Sequence, residues 1–286
     1  MGGHNQSGSC NKNLKHSSSR WNLEEAKQQS CILCLCAKGN SKLLCRSMSR
    51  AAVLTTRALE GEAGTLSPQV LPALPEHVDA AVLALRKGLV IAVPTDTLYG
   101  FAADACCEEA ITKIYSIKGR NSSNPLAVCL AHPDDFEKYS VTNCLPDGLL
   151  KDLFPGPVTA VLLRGDQSLL SKRLNPGICS IGIRIPKSAF IMQLAEAFGG
   201  ALALTSANVS GKSSTIRIQE FESLWPYCAA VFDAGEIPST REGSTIVDLT
   251  VPRVYKILRT GSALDSTVAV LERHGLTEAA STSKGS

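Results

Sequence analysis

The chain has 286 residues, of which 44% are hydrophobic, and its 29 Lys and Arg against 26 Asp and Glu give a net charge of +3. That apolar fraction excludes wholesale disorder, and no run approaches the ~18 to 20 consecutive apolar residues of a membrane span. The charge is uneven: residues 1–59 hold nine basic and two acidic side chains (+7), which leaves −4 for the rest. A slightly acidic body excludes a general nucleic-acid surface, so any anion site in it must use a few aimed cations.

Residues 1–73 show no sustained period and read as a leader. From Ser41 to Leu59 they carry four basic residues, no acid, and apolar spacing compatible with a helix. Two readings stand: a mitochondrial import segment, or a disordered tail with accidental spacing. Met48 is a candidate internal start. Cys31, Cys34 and Cys36 form C-x-x-C-x-C without the second ligand pair a zinc site needs. Thr65 to Pro75 holds three prolines and reads as a linker. The odd total of 11 Cys and the lack of a secretory signal favour a reducing compartment, and the cysteines of the body read mainly as small core residues. The expected location is cytoplasmic, with the mitochondrion as the leader's second destination.

Regular structure is expected from Pro75. Pro75-Glu76 opens a helix with Val78, Ala81, Val82 and Leu85 on one face, and Gly88 stops it. Leu89–Val93 is a short apolar run, hence a buried strand. A helix follows over Glu108–Ile117. Strands are expected at Leu126–Ala131, Val158–Leu163, Ser180–Ile185, Ala201–Leu204, Ala229–Phe232, Thr245–Leu249 and Val254–Leu258. Between them, Ser188–Phe198 is helical and closed by Gly199-Gly200. A last helix runs from about Ser262 to Arg273, and residues 276–286 read as a loose tail. This alternation predicts an α/β or α+β catalytic domain over 74–275, built on one mixed, twisted sheet.

Chemistry concentrates where strands end. Pro94-Thr95-Asp96-Thr97-Leu98-Tyr99-Gly100 puts hydroxyls and a carboxylate at a strand's carboxyl end, where open α/β sheets bind ligands. Lys118-Gly119-Arg120-Asn121-Ser122-Ser123-Asn124-Pro125 offers two cations with amide and hydroxyl donors, a set suited to a phosphate chain. Thr205 to Ser214 contains Gly211-Lys212-Ser213. It is not a true P-loop, because Ser206 replaces the first required Gly and the residues after it start a helix poorly. Arg184 and Arg259 each interrupt an apolar strand, and a guanidinium there needs an anion. For Arg184 a bound ligand is favoured over a structural carboxylate. None of the five His sits in a triad or H-E-x-x-H, Cys129 and His132 make a poor dyad, and G-x-G-x-x-G is absent.

Together these stretches resemble the YrdC-like threonylcarbamoyl-AMP synthases. The matching segments are PTDTLYGFAA (Pro94–Ala103), IKGRNSSNPLAV (Ile117–Val128), FPGPVT (Phe154–Thr159) and SIGIRIP (Ser180–Pro186). LTSANVSG (Leu204–Gly211), GSTIVD (Gly243–Asp248) and LRTG (Leu258–Gly261) complete an ordered set across residues 75–275. The resemblance implies a YrdC-like twisted open mixed sheet with flanking helices around a large cavity. It implies the joining of L-threonine, bicarbonate and ATP into threonylcarbamoyl-AMP and pyrophosphate, with Mg2+ on the nucleotide. A KEOPS-type transferase would then modify tRNA beside the anticodon. By resemblance Thr97, Arg184 and Ser244 hold threonine. Lys118, Arg120, Asn124, Ser180, Ser206, Ser214 and Arg259 hold ATP, with Lys118 and Arg120 also in the catalytic role. Two residues depart from the family pattern: Cys129 stands where many relatives have His, and Thr205 replaces a frequent Pro. The alternative is a non-catalytic RNA-binding module of the same tRNA-modification machinery, against which the −4 body counts.

Overall fold

The computed structural model describes residues 68–119 and 125–280. The leader's motifs, Met48, Arg120, Asn124 and residues 281–286 lie outside the described residues. Eleven strands form a single open sheet. In chain order they are β1 (Gln69–Pro72), β2 (Ile91–Pro94), β3 (Tyr99–Asp104), β4 (Ala127–Cys129), β5 (Val158–Leu163), β6 (Ser180–Arg184), β7 (Leu202–Ser206), β8 (Ala230–Asp233), β9 (Thr245–Asp248), β10 (Val254–Arg259) and β11 (Thr277–Glu278). Their spatial order is β1-β8-β2-β3-β7-β4-β6-β5-β9-β10-β11. Parallel and antiparallel pairs mix: β4 runs parallel to β6 and antiparallel to β7.

Five α-helices flank the sheet: α1 (Val78–Arg86), α2 (Glu108–Lys118), α3 (Leu149–Leu153), α4 (Ala189–Phe198) and α5 (Leu264–Arg273). α1 is preceded by a 3-10 turn with Pro75 in its first position, and the chain leaves it through Gly88 at φ +66°. α2 ends at Gly119, also left-handed. The two faces of the sheet enter two cores. Along β3, Phe101 and Ala103 join one core while Ala102 joins the other, the period of two that a pleated strand imposes. α1 and α4 close the second core, with Leu85, Phe190, Ile191 and Leu194 nearly inaccessible. Each such large side chain contributes roughly 1.5–3 kcal/mol of burial.

The expected strands and helices all form, with their ends within three residues of expectation. Ordered structure also extends past both ends of the 74–275 range. Gln69–Pro72, inside the expected linker, pairs parallel with β8. Thr277–Glu278, inside the expected loose tail, pairs with β10. β3 itself was not expected: it pairs with β2 and β7, next to the polar stretch that drew attention as a motif. α3 and the 3-10 segments Pro133–Lys138 and Ile218–Tyr227 are further additions. The cysteines divide: Cys129 and Cys228 are buried, Cys107 and Cys144 are intermediate, and Cys106 and Cys179 are exposed. The core reading therefore holds for two of these six. No helix among the described residues is long and apolar enough to cross a membrane.

Candidate functional site

One cleft gathers most of the expected residues. Thr95, Leu98, Tyr99, Gly100, Pro125 and Ala127 line it, together with Thr159, Arg184, Leu204, Thr205, Ser206, Ser214, Gly243, Ser244, Ile246 and Arg259. Gly100 of β3, Leu204 of β7 and Ala127 of β4 line it side by side, since β7 pairs with both β3 and β4. The described residues enclose about 180 Å³. The large cavity that the resemblance implied is not seen among the described residues.

The turn between β2 and β3 forms one rim. Thr95 fixes it locally: its hydroxyl donates to the Leu98 carbonyl at 2.7 Å and accepts from the amides of Thr97 and Leu98 at 3.2 and 3.1 Å. A short polar side chain folded onto its own backbone makes a rigid turn without needing a helix or a strand. Thr97 is buried beneath this rim, with its hydroxyl 3.3 Å from that of Thr95 and 3.4 Å from Nη2 of Arg184. Tyr99 leaves the turn with its ring buried in the core, 5.8 Å from that of Phe221 between centroids. Its hydroxyl donates to the Gly235 carbonyl at 2.7 Å and accepts from the Ala234 amide at 2.9 Å. Burial, the largest cause, pushes the Tyr99 phenol far up, so it stays a neutral donor.

Arg184 closes β6. Its Nη2 donates to Oδ1 of Asp96 at 2.6 Å, and Oδ2 of Asp96 accepts the Lys187 amide at 2.8 Å. Both side chains are nearly inaccessible, at 11% and 8%. Arg184 thus has a structural carboxylate as an anion, the less favoured of the two sources the sequence left open. The two residues are 88 positions apart, so no local spacing announced the pair. The pairing is incomplete, since Arg184 Nε is buried without a hydrogen-bond partner.

The opposite rim comes from β9 and β10. The Ser244 hydroxyl lies 2.8 Å from that of Thr159, and its carbonyl accepts Nε and Nη2 of Arg259 at 3.1 and 2.8 Å. Although Arg259 keeps solvent exposure as a residue, its guanidinium is turned inward over Ser244. Burial, and then the charge of Arg184, hold Arg259 below the usual arginine range. This closeness requires a glycine at 261: a Cβ there would lie 2.4 Å from the backbone of Ser244 and Thr245.

The third group centres on Lys118, the last residue of α2, which is 2% exposed. Its Nζ donates to the Ser206 carbonyl at 2.6 Å, to Asn208 Oδ1 at 3.1 Å and to the Ser206 hydroxyl at 3.3 Å. The Ser206 hydroxyl in turn donates to Asn208 Oδ1 at 2.5 Å. Asn208 lies within the LTSANVSG segment, which by itself indicates no role for it. Its spacing of two from Ser206 on a strand end was the available signal. Ser214 lines the cleft beyond, and its carbonyl accepts Nη1 of Arg241 at 2.6 Å. No helix follows Gly211-Lys212-Ser213 until the 3-10 run at Ile218, in keeping with the rejection of a P-loop.

Of the expected site residues, Arg184, Ser244, Ser206, Ser214 and Arg259 line the cleft. Thr97 and Lys118 lie just behind its surface. Ser180 is not among the lining residues. It begins β6, level with Pro125 on the parallel neighbour β4, since Ala127 pairs with Gly182. Cys129 pairs with Arg184 across the same ladder and is fully buried, which pushes its thiol up to about 12. His132 instead meets Glu196 on the surface, so no Cys129–His132 dyad forms. Among the described residues no three His, Cys, Asp or Glu side chains converge.

An open mixed sheet with cations and hydroxyls gathered at the ends of its strands defines a protein built to hold a small anionic ligand. Comparison with known sequences is more specific. The Sua5/YciO/YrdC family model, described as "Telomere recombination", matches residues 83–261. The chain belongs to this family. It is 50% identical to a Bos taurus threonylcarbamoyl-AMP synthase over 206 residues, 70% of this chain and 74% of that one. It is 43% identical to the Homo sapiens threonylcarbamoyl-AMP synthase over 268 residues, covering 81% and 95% of the two chains. A solved structure of P. abyssi Sua5 complexed with L-threonine superposes at a TM-score of 0.62 with 27% identity. The match covers 74% of this chain and 62% of that one, so the chain spans about three fifths of the archaeal protein.

Proposed function

We propose that this chain is a threonylcarbamoyl-AMP synthase, a nucleotidyltransferase that joins L-threonine, bicarbonate and ATP. The observation that carries the reading is Arg184, held by Asp96 beside Thr97 on a cleft that Ser206 also lines, with Lys118 bonded to Ser206 behind it. It offers one fixed guanidinium for an amino-acid carboxylate and a separate cationic end for phosphates. Arg184, Thr97 and Ser244 take threonine. Lys118, Ser206, Ser214 and Arg259 take the nucleotide, joined by Ser180 and by Arg120 and Asn124.

The donor types fit this chemistry. The carbamate made from threonine's amine and bicarbonate already carries the attacking oxyanion. Attack on the α-phosphate then needs placement and charge stabilisation more than a strong base. Lys118 and Arg120 supply that positive charge, which accounts for a site without a catalytic His. The nearby carboxylate, Asp96, is committed to Arg184 and the Lys187 amide. The lining therefore suits Mg2+ carried on the triphosphate oxygens rather than caged by protein. The product would pass to a KEOPS-type transferase acting on tRNA, in the cytoplasm or the mitochondrion.

The test supplies threonine, labelled bicarbonate and ATP and follows label into an adenylate. Label in threonylcarbamoyl-AMP, with serine a poor substitute, supports the reading. An unlabelled adenylate, or equal turnover with serine, overturns it. Arg184→Ala should weaken threonine binding far more than ATP binding.

A further inference from the structure

A buried amide lies behind the nucleotide end of the cleft and has no place in the scheme above. Asn175 is 1% exposed and holds a left-handed backbone at φ +53°. Its Oδ1 accepts the Leu126 amide at 2.7 Å, and its Nδ2 donates to the Leu126 carbonyl at 2.9 Å. The side chain thus pairs with Leu126 through both backbone groups, as a neighbouring strand would. The Tyr115 hydroxyl donates to the same Oδ1 at 3.2 Å and accepts the Asn175 amide at 3.1 Å. Even the Asn175 carbonyl is used, by the Ile178 amide at 3.1 Å.

The partners are informative. Tyr115 lies in α2, three residues before Lys118, whose Nζ meets Ser206. Leu126 directly follows Pro125 and precedes Ala127, both of which line the cleft. Asn175 therefore ties the end of α2 to the start of β4. Its own loop is held in turn: Nη2 of Arg164 donates to the carbonyls of Leu170 and Ser171 at 2.6 and 3.0 Å, and Nη1 to that of Leu174 at 3.1 Å. A side chain that needed only to be satisfied in the interior could bond to any backbone. This one bonds to two separate elements, through Tyr115 of α2 and through both backbone groups of Leu126.

We propose that Asn175, with Tyr115, is a positioning pair that sets the distance between Lys118 and the start of β4, and so the geometry of the nucleotide end of the cleft. The inference rests on the nucleotide reading given above. Misplacement of about 1 Å at a reacting site can cost up to 10²-fold. The pair holds the site from behind and touches no substrate.

The test is titration calorimetry of the full chain with a non-hydrolysable ATP analogue and, separately, with threonine. Asn175→Gly keeps the left-handed backbone without strain and removes the amide, while Tyr115→Phe removes only the hydroxyl. For Asn175→Gly the analogue's Kd should rise on the order of tenfold, a fraction of that misplacement limit, while threonine's stays within about twofold. Tyr115→Phe should move the analogue's Kd in the same direction by less, and the double variant should match Asn175→Gly rather than add to it. An unchanged analogue Kd in either variant, or an equal loss for both ligands, overturns the inference. Should Asn175→Gly fail to fold, Tyr115→Phe decides alone. A wild-type chain that binds no analogue sinks the nucleotide reading itself, whereas wild-type binding with indifferent variants sinks only the positioning pair.

Discussion

Replacing Asp96 by Ala should destabilise the protein measurably even with nothing in the cleft. The change removes the 2.6 Å bond from Arg184 Nη2 and the 2.8 Å bond from the Lys187 amide. It also leaves a guanidinium that is 11% exposed without its carboxylate. Hydrogen bonds to charged groups contribute about 1.5–3 kcal/mol each, and removing one partner of a buried ion pair costs about 3–5 kcal/mol. Arg184 borders an open cleft from which water can reach part of it, so the lower end applies, about 3 kcal/mol. In a domain of this size about 2–4 °C of melting temperature accompanies each kcal/mol, which predicts a drop of roughly 6–12 °C. Asp96→Asn should fall between, since its amide oxygen can serve Arg184 only by turning the NH2 against the Lys187 N–H. Differential scanning calorimetry at pH 7 measures both. An Asp96→Ala protein melting within about 2 °C of wild type would refute the view that this pair holds the cleft's rim, because the lost bonds would then be worth under 1 kcal/mol.

Two further outcomes are expected. Gly261→Ala drives a Cβ to 2.4 Å from the Ser244 backbone; overpacking of this kind costs about 1–3 kcal/mol, and activity should fall further than stability because Ser244 and Arg259 shift together. Normal adenylate formation by this variant would count against the rim as described. Thiol alkylation followed by mass spectrometry should show Cys129 and Cys228 protected at pH 8, since burial pushes both up to about 12. Cys106, pushed up to about 11 by burial and then by Asp104, should react slowly at pH 8 and faster as pH rises toward 11, because only the thiolate attacks. Rapid labelling of Cys129 at neutral pH would contradict its burial beside Arg184.

The strands were legible because most are short apolar runs bounded by Gly, Pro or polar clusters. β3 escaped because Tyr99-Gly100 begins it inside a conspicuous polar motif. β1 escaped because prolines surround it, and the strand it pairs with, β8, lies some 160 residues away. The cleft's membership was legible in the same degree. Cations and hydroxyls at strand ends pointed to Arg184, Ser206, Ser244 and Arg259. The residues that hold them in place did not declare themselves. Asp96 and Asn208 were in view without a role, and Asn175 was not in view, because each acts on a partner whose proximity the fold alone creates. Periodicity reports which face a residue takes, and carries nothing about which distant side chain it will meet.

The rim built on Ser244 has a consequence for synthesis. The cleft draws on the chain from Thr95 to Arg259, and Gly261 must be in place before Ser244 can seat. On a ribosome the early strands can pair while that rim is still inside the exit tunnel. Ligand binding therefore cannot assist the first steps of folding, and the nascent sheet must stand on its hydrophobic cores until nearly the whole domain has emerged.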